Sequence, residues 1–421
     1  MKTYPKCKDS GIKWLEVIPD TWTTPTVGKV CKLGRGRVIS NIEISENPGG
    51  YPVYSSQTSN NGVLGYLSSY DFEGEYVTWT TDGANAGRVF FRSGKFNCTN
   101  VCGTMIPTRN DVFLPYLFYL LNILTPYYVR LDINPKLMND MMSPIKICFP
   151  PLPEQNQIAK YLDHKTTKID FLIEKKNRLI ELFKEERTAV INQTVTKGLD
   201  SNVPMKDSGI EWLGKIPEHW EVKRLKYLSD VVLGKMLTPN DKGGYHLKPY
   251  LRAKNLTWLK VDAKDIKEMW FSETELKQYR LFKDDLLVSE GGEVGRTCIW
   301  NGEILECYIQ NSVNRVRFYE NMVPRYFLYL CLIYGYKGHF DAVVSKVSIA
   351  HLTKEKLIDI FFVVPPFNEQ EDIVKFIEND VLSIDHIISK SEIEIELLQE
   401  YRTALISEVV TGKIDVREEK I

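Results

Sequence analysis

The sequence predicts an α+β fold. Two mixed α/β domains are joined by a pair of long antiparallel helices, coiled-coil-like, with an internal pseudo-two-fold repeat. Three observations carry this expectation. KDSGIKWLEVIPDTW, from Lys8 to Trp22, returns as KDSGIEWLGKIPEHW from Lys206 to Trp220. PPLPEQNQIAKYLDHKTTKIDFLIEKKNRLIELFKEERTAVINQTVTKGLD, from Pro150 to Asp200, aligns without a gap with the stretch from Pro365 to Asp415. Between these repeats lie two segments, 23–149 and 221–364, whose identity nearly vanishes while their layout persists. Such self-similarity marks a structural unit written twice.

The borders follow from the repeats: a first domain over 1–149, a first long helix within 150–200, a second domain over 201–364, and a second helix with the C-terminal tail over 365–421. At 421 residues the chain is too long for one core, so two or more domains are expected.

The gapless repeat reads as a helix in each copy. It starts at paired prolines, holds no internal proline or glycine, and ends at Gly198 or Gly412. Its apolar positions follow heptad-like spacing. In the first copy the seam is Ile158, Leu162, Ile169, Leu172, Leu179, Phe183 and Val190; in the second it is Ile373, Ile377, Ile384, Ile387, Leu398, Leu405 and Val409. Roughly 40 residues at 1.5 Å rise give a rod of about 60 Å. One such seam cannot be satisfied alone, so the two helices are expected to pair with each other. Two equivalent units close best about a two-fold axis, which makes the pair antiparallel. KDSGI is then expected to pack near the tail TGKIDVREEKI.

Each variable segment carries a strand, a glycine-bearing turn and a second strand: YVTWTTDGANAGRVFF in one, LLVSEGGEVGRTCIW in the other. An asparagine-bearing strand (CTNVCGTMI, IQNSVNRVRF) and an aromatic helix (PYLFYLLNIL, RYFLYLCLIYGY) follow. A kept layout with divergent polar content is the pattern of two readers on one scaffold.

Composition narrows the class. Hydrophobic residues make up 43% and charged residues 26%, as in ordinary globular proteins. The apolar runs at Val112–Leu124 and Tyr326–Tyr336 are too short to span a bilayer, and the N-terminus lacks a signal-peptide core; a cytoplasmic protein is expected. Eight cysteines do not make a disulfide scaffold, and Cys98 and Cys102 lack the spacing and histidines of a zinc site, so no metal is expected. The net charge of −1 hides a segregation: 369–421 carries −8, leaving +7 elsewhere. A bulk charge near zero argues against a non-specific nucleic-acid coat but leaves room for local basic faces.

The duplicated PP-x-x-EQ entry to a long helix, the paired SGI-x-WL segments and YPVYSSQTSNNGVLGYL resemble the specificity subunit of type I restriction–modification enzymes. The resemblance covers essentially the whole chain. It implies two target recognition domains, each reading one half of a split, asymmetric site in double-stranded DNA. It implies helices that set the unread gap and dock two modification (methyltransferase) subunits. Restriction (endonuclease/translocase) subunits are further implied partners. Catalysis then resides in those partners, and S-adenosylmethionine is expected on the methyltransferase subunits, with no cofactor in this chain.

The residues agree with a non-catalytic reading. An adenine methyltransferase holds its target amine with Asn or Asp before Pro-Pro and an aromatic, whereas Phe149 and Val364 stand there and cannot accept that hydrogen bond. LGRGR, Leu33–Arg37, is a poor cofactor loop, and GGEVGRT lacks the lysine of a phosphate loop. The rival readings are a fused methyltransferase or nuclease and a scaffold that reads no DNA.

Base edges are read chiefly by Arg, Lys, Asn and Gln. The candidates in the first domain are Arg35, Arg37, Ser56, Gln57, Asn60, Asn61, Asn85 and Arg88. In the second they are Lys235, Arg252, Lys254, Asn255, Glu293, Arg296 and Lys346. Turn chemistry competes with recognition at these positions, and both readings stay open for Arg37, Asn61, Arg252 and Lys254. Gly83, Gly87, Gly291 and Gly295 read as structural. Tyr54, Tyr66 and Tyr250 read as core.

Overall fold

The computed structural model describes residues 2–12, 14–131, 133–344 and 351–419. Lys346 and its SKVS stretch lie outside the described residues. The chain forms two compact units: Met1–Asn177 with Ser391–Ile421, and Arg178–Lys390. The borders between units fall inside the two long helices.

The first unit opens on a hairpin, β1 (Cys7–Ile12) and β2 (Leu15–Pro19). KDSGI makes its turn: Gly11 N–H donates to Asp9 Oδ1 at 2.7 Å and Ile12 N–H to Ser10 Oγ at 2.9 Å. Gly11 holds φ +63°, which only glycine adopts cheaply. Then come β3 (Cys31–Arg35), a short helix α1 (Asn41–Glu46), β4 (Pro48–Tyr54), β5 (Val63–Leu67), β6 (Phe72–Thr80), β7 (Val89–Cys98) and β8 (Cys102–Pro107). Six strands form one sheet in the order β3-β8-β6-β7-β4-β5, antiparallel except for β4 with β7. The aromatic run forms α2 (Leu114–Leu124), and the gapless repeat forms α3 (Leu152–Lys197).

The second unit repeats this plan. A hairpin of β9 (Met205–Asp207) and β10 (Lys215–Pro217) carries the same turn, with Gly209 N–H on Asp207 and Ile210 N–H on Ser208. β11 (Glu221–Arg224), β12 (Ser229–Leu233), β13 (His246–Leu251), β14 (Lys267–Phe271), helix α4 (Glu273–Tyr279), β15 (Leu286–Ser289), β16 (Thr297–Ile299), β17 (Tyr308–Ile309) and β18 (Val313–Phe318) follow. Helix α5 (Pro324–Tyr336), β19 (Phe361–Val364), which pairs with β11, and α6 (Phe367–Val410) complete it. Here the sheet is two pieces, β12-β18-β15-β16 and β14-β13-β17, because residues 300–307 interrupt what is one strand, β7, in the first unit.

One buried glutamine explains the repeated PP-x-x-EQ. Gln155 accepts the Phe113 N–H at 2.9 Å, at the start of α2, and donates to the Pro150 carbonyl at 2.9 Å. Gln370 does the same for Val323, at the start of α5, and for Pro365. Each satisfies an otherwise unpaired amide where a buried helix begins.

Each unit contains segments of both long helices, and in each they run antiparallel. In the first, Arg402 binds Asp170 at 2.8 Å, Lys176 binds Glu394, and Gln157 reaches the Val416 carbonyl. In the second, Arg187 binds Asp385 at 2.6 Å. The repeat aligns Asp170 with Asp385 and Arg187 with Arg402, so one ion pair is written twice, reciprocally. The tail also meets the N-terminus: Asp415 N–H donates to the Lys2 carbonyl at 2.9 Å, and Gly412 abuts Pro19 and Trp22.

The seam differs from heptad spacing. Ile158, Leu162, Ile169, Ile373, Ile377 and Ile384 are buried, and Leu398 is partly buried. However, Leu172 is 47% and Ile387 39% exposed, Leu179 is exposed, and Phe183 is half-buried. Ile173 packs inward in place of Leu172, and Ile388 is buried in place of Ile387. The buried positions instead recur every eleven residues: Ile158, Ile169, Ile180 and Ile191 in α3, and Ile373, Ile384 and Ile406 in α6 with Ile395 half-buried. Eleven residues in three turns is 3.67 per turn, so these helices need no left-handed supercoil to keep the stripe in register. Ile169→Ala is expected to cost about 2–5 kcal/mol in urea unfolding, against about 0.5 kcal/mol or less for Leu172→Ala.

Candidate nucleic-acid interface

At one end of each sheet several loops converge on a shared frame of main-chain bonds. In the first domain Gly36 N–H donates to Cys102 O, Arg37 to Cys98, Thr99 to Tyr54, Cys102 to Thr99, Thr81 to Val101 and Thr80 to Arg88. In the second, Gly234 donates to Val313, Lys235 to Ile309, Gln310 to Leu251, Val313 to Gln310, Glu290 to Ser312 and Ser289 to Arg296. Every one of these bonds lies between 2.9 and 3.1 Å. They match one for one, so Arg37 is equivalent to Lys235, Arg88 to Arg296, and Asn100 to Asn311. The two glycines are demanded by close approach. A Cβ on Gly36 would lie 2.2 Å from the Cys98 carbonyl oxygen, and one on Gly234 2.4 Å from that of Gln310.

On this common frame the side chains differ. The Ser56 carbonyl accepts from Asn85 Nδ2 at 3.0 Å, whereas the equivalent Ala253 carbonyl accepts from Arg296 Nη2 at 2.8 Å. The same anchor point is held by different donors.

In the first domain the structure brings Ser56, Asn61, Asn85 and Arg88 together. Two clefts of about 340 and 460 Å³ share Thr58, Arg88 and Asn122; the larger also takes in Asn61, Phe90, Phe118 and Arg402. Asn60 and Asn61 stand exposed at φ +48° and +51°. Arg88 is exposed and makes no ion pair among the described residues. Arg35 donates to the Asn100 carbonyl, and Gln57 to that of Val63. Arg37 is committed elsewhere: it binds Glu43 at 2.6 Å and Asp71 at 2.9 Å, and its hydrogen bond holds the Glu43 carboxyl below its usual range.

In the second domain Arg252, Lys254, Asn255, Glu293 and Arg296 meet around Ala253, yet most are spent on one another. Arg252 and Lys254 share Asp265 at 2.8 and 3.3 Å, and their hydrogen bonds lower its pKa. Asn255 is buried and ties the loop with bonds to the Asp262 and Asp265 carbonyls. Glu293 accepts from Trp258 and Arg296. Lys235 is buried against Glu275 at 2.5 Å and over the Tyr245 and Phe271 rings. Burial alone would raise the Glu275 carboxyl; Lys235 and Ser272 pull it below the usual value. Glu43 and Glu275 both stand three residues after a capping serine, Ser40 and Ser272.

Among the expected core tyrosines, Tyr250 is buried and Tyr54 lies under the Arg92 guanidinium, 3.6 Å from its ring centre. Tyr66 is exposed, because β5 is an edge strand and that residue faces outward. Sequence reasoning passed over Thr99, Asn100, Gln310, Asn311 and Ser312, which close the frame; the one signal was the asparagine in each of the two matched strands. Among the described residues no group of three or more His, Cys, Asp or Glu could hold a metal ion, and no helix is long and apolar enough to cross a membrane.

Residues 19–182 and 217–397 match the family described as type I restriction modification DNA specificity domain, and the chain belongs to this family. A putative type I specificity subunit N-terminus from Mycoplasma pneumoniae (S.MpnORF289P) is 45% identical over 141 residues, which is 33% of this chain and 75% of that relative. Against the MpnII specificity subunit of the same organism identity is 44% over 32% of this chain, spanning 41% of that relative. The MjaVIII specificity subunit of Methanocaldococcus jannaschii is 25% identical over 95% of this chain and 94% of its own length. In fold, the chain is similar to a structure described under complex assembly and conformational transition of the type I R-M system, with TM-score 0.65, 17% identity and 94% and 99% coverage. It is also similar to the HsdS subunit from Thermoanaerobacter tengcongensis, with TM-score 0.53, 18% identity and 94% and 98% coverage.

The unequal use of one position can be measured. Arg296→Ala is expected to destabilise the protein by about 1–2 kcal/mol, since it frees the Ala253 carbonyl, whereas Arg88→Ala stays within about 0.5 kcal/mol. Denaturant midpoints of the two variants check this.

Proposed function

We propose that this chain is the non-catalytic DNA-reading subunit of a type I restriction–modification complex, each domain reading one half of a bipartite, asymmetric site. The observation that carries the reading is the matched main-chain frame bearing unlike side chains. A kept frame with changed donors is what two sequence readers of different targets need. In the first domain Arg88 and Asn61 are the side chains we assign to DNA, with Asn85 holding the Ser56 carbonyl beside them. In the second, Lys254 is more open than Arg252, Arg296 or Lys235; Arg252, Asn255 and Arg296 order its loop, and Lys235 is held by Glu275. The test is selection of bound duplexes from a random pool by the assembled complex. The expected result is two fixed half-sites separated by unread base pairs; a scaffold that reads no DNA enriches nothing.

The paired helices act in this proposal as the spacer and as the docking surface for two methyltransferase subunits. Those subunits bind S-adenosylmethionine, and restriction subunits join the same assembly in the cytoplasm. Removing eleven residues from each helix, Lys175–Glu185 and Lys390–Glu400, keeps both reciprocal ion pairs and the isoleucine spacing. It shortens a helix by about 16 Å, close to five base pairs of duplex. Both half-sites are expected to persist while the gap shrinks by about that amount, read by mapping methylated adenines. Calorimetry of the isolated chain with S-adenosylmethionine is expected to show no binding, and measurable binding favours the fused-enzyme reading instead.

A further inference from the structure

Two residues outside the proposed reading set occupy one place in both domains. Cys102 N–H bonds to the Thr99 carbonyl and Val313 N–H to that of Gln310, so each closes a four-residue turn with an asparagine second: Asn100 and Asn311. These turns sit at the centre of the frame, between the loops that follow β4 or β13 and those that follow β6 or β15.

The local structure does not ask for asparagine there. Neither residue has positive φ, and the second position of such a turn accepts most residue types. Neither side chain bonds to the backbone in the way that makes asparagine useful in turns. Asn100 is exposed, and its amide makes no hydrogen bond among the described residues. Asn311 is half-buried; its Oδ1 accepts from Gln310 Nε2 at 2.6 Å, while Gln310 Oε1 accepts from Ser312 Oγ at 2.5 Å. Its Nδ2 and the second lone pair of Oδ1 stay open, and the amide plane is already oriented. Of the neighbouring cations, Arg37 is committed to Glu43 and Asp71 and Lys235 to Glu275, while Arg35 donates its Nε–H to the Asn100 carbonyl. The asparagine amide itself is a neutral donor–acceptor pair, suited to a base edge more than to a phosphate.

We infer that Asn100 and Asn311 are specificity-determining residues, each reading the edge of an adenine in its own half-site, with Gln310 as the residue that positions Asn311. This rests on the DNA-reading proposal above. An asparagine amide matches adenine because Oδ1 accepts from N6 while Nδ2 donates to N7. Aspartate keeps the shape but lacks the donor and matches the amino group of cytosine instead.

The experiment is duplex selection on the assembled complex with wild type, Asn100→Ala, Asn311→Ala, Asn311→Asp and Gln310→Ala. Each alanine variant is expected to lose roughly tenfold to a hundredfold discrimination at one adenine of one half-site, leaving the other half-site unchanged. Asn311→Asp is expected to shift that position toward cytosine, and Gln310→Ala to weaken discrimination without changing the preferred base. Thermal unfolding confirms that each variant is folded. Retention of every selected base by folded Asn100→Ala and Asn311→Ala, or a uniform loss of affinity for all sequences, overturns the inference. A wild-type complex that selects no sequence overturns the DNA-reading proposal instead.

Discussion

The burial of each long helix's last turns in the other repeat's domain is the constraint on which the rest depends. Leu405, Ile406, Val409 and Val410 of α6 lie in the core that also holds Ile158, Leu162 and Trp22. Ile191 and Val195 of α3 lie in the core with Trp220, Ile373 and Ile377. The tyrosines of the aromatic helices record the same exchange: Tyr116 donates to the Val410 carbonyl at 3.3 Å and Tyr326 to that of Val195 at 3.0 Å. Neither repeat can complete its core from its own residues. The reciprocal ion pairs, being exposed, add little energy and serve mainly to fix register.

That shared core frees the sheet ends to diverge. Six matched bonds and one close-packed glycine fix the main chain of each frame, and the side chains attached to it can change without moving it. The exchange of Asn85 for Arg296 as the donor on one anchoring carbonyl is a worked instance. It also decides which cation stays open: Arg88 is exposed in one domain, while its counterpart Arg296 is held on the Ala253 carbonyl in the other.

Much of this was legible in the sequence because repetition stands in for comparison. The repeat located both helices and their pairing with each other, the tail meets the N-terminal segment at Lys2, Pro19 and Trp22, and KDSGI and PP-x-x-EQ each proved to be one hydrogen-bonded device used twice. The heptad reading failed at Leu172 and Ile387 together because the seam can continue three or four places on from Ile169 and Ile384, and only packing chooses Ile173 over Leu172 and Ile388 over Ile387. The candidate site was legible as a set of loops but not as a set of free groups. Arg37 and Lys235 look alike as exposed cations until Glu43 and Glu275 are seen beside them. Those partners lie on helices in different places along the two domains, so no alignment brings them together.

The division of the first core between the two ends of the chain also sets an order of birth. The second unit is continuous, Arg178–Lys390, and all of its residues exist before the ribosome reaches the turns that close the first. At about 5–20 residues per second, the apolar faces of Ile158 and Leu162 wait on the order of ten to fifty seconds for Leu405 and Val409. The domain made first is therefore finished last, and its core stays open to chaperones and to aggregation until the C-terminal turns arrive.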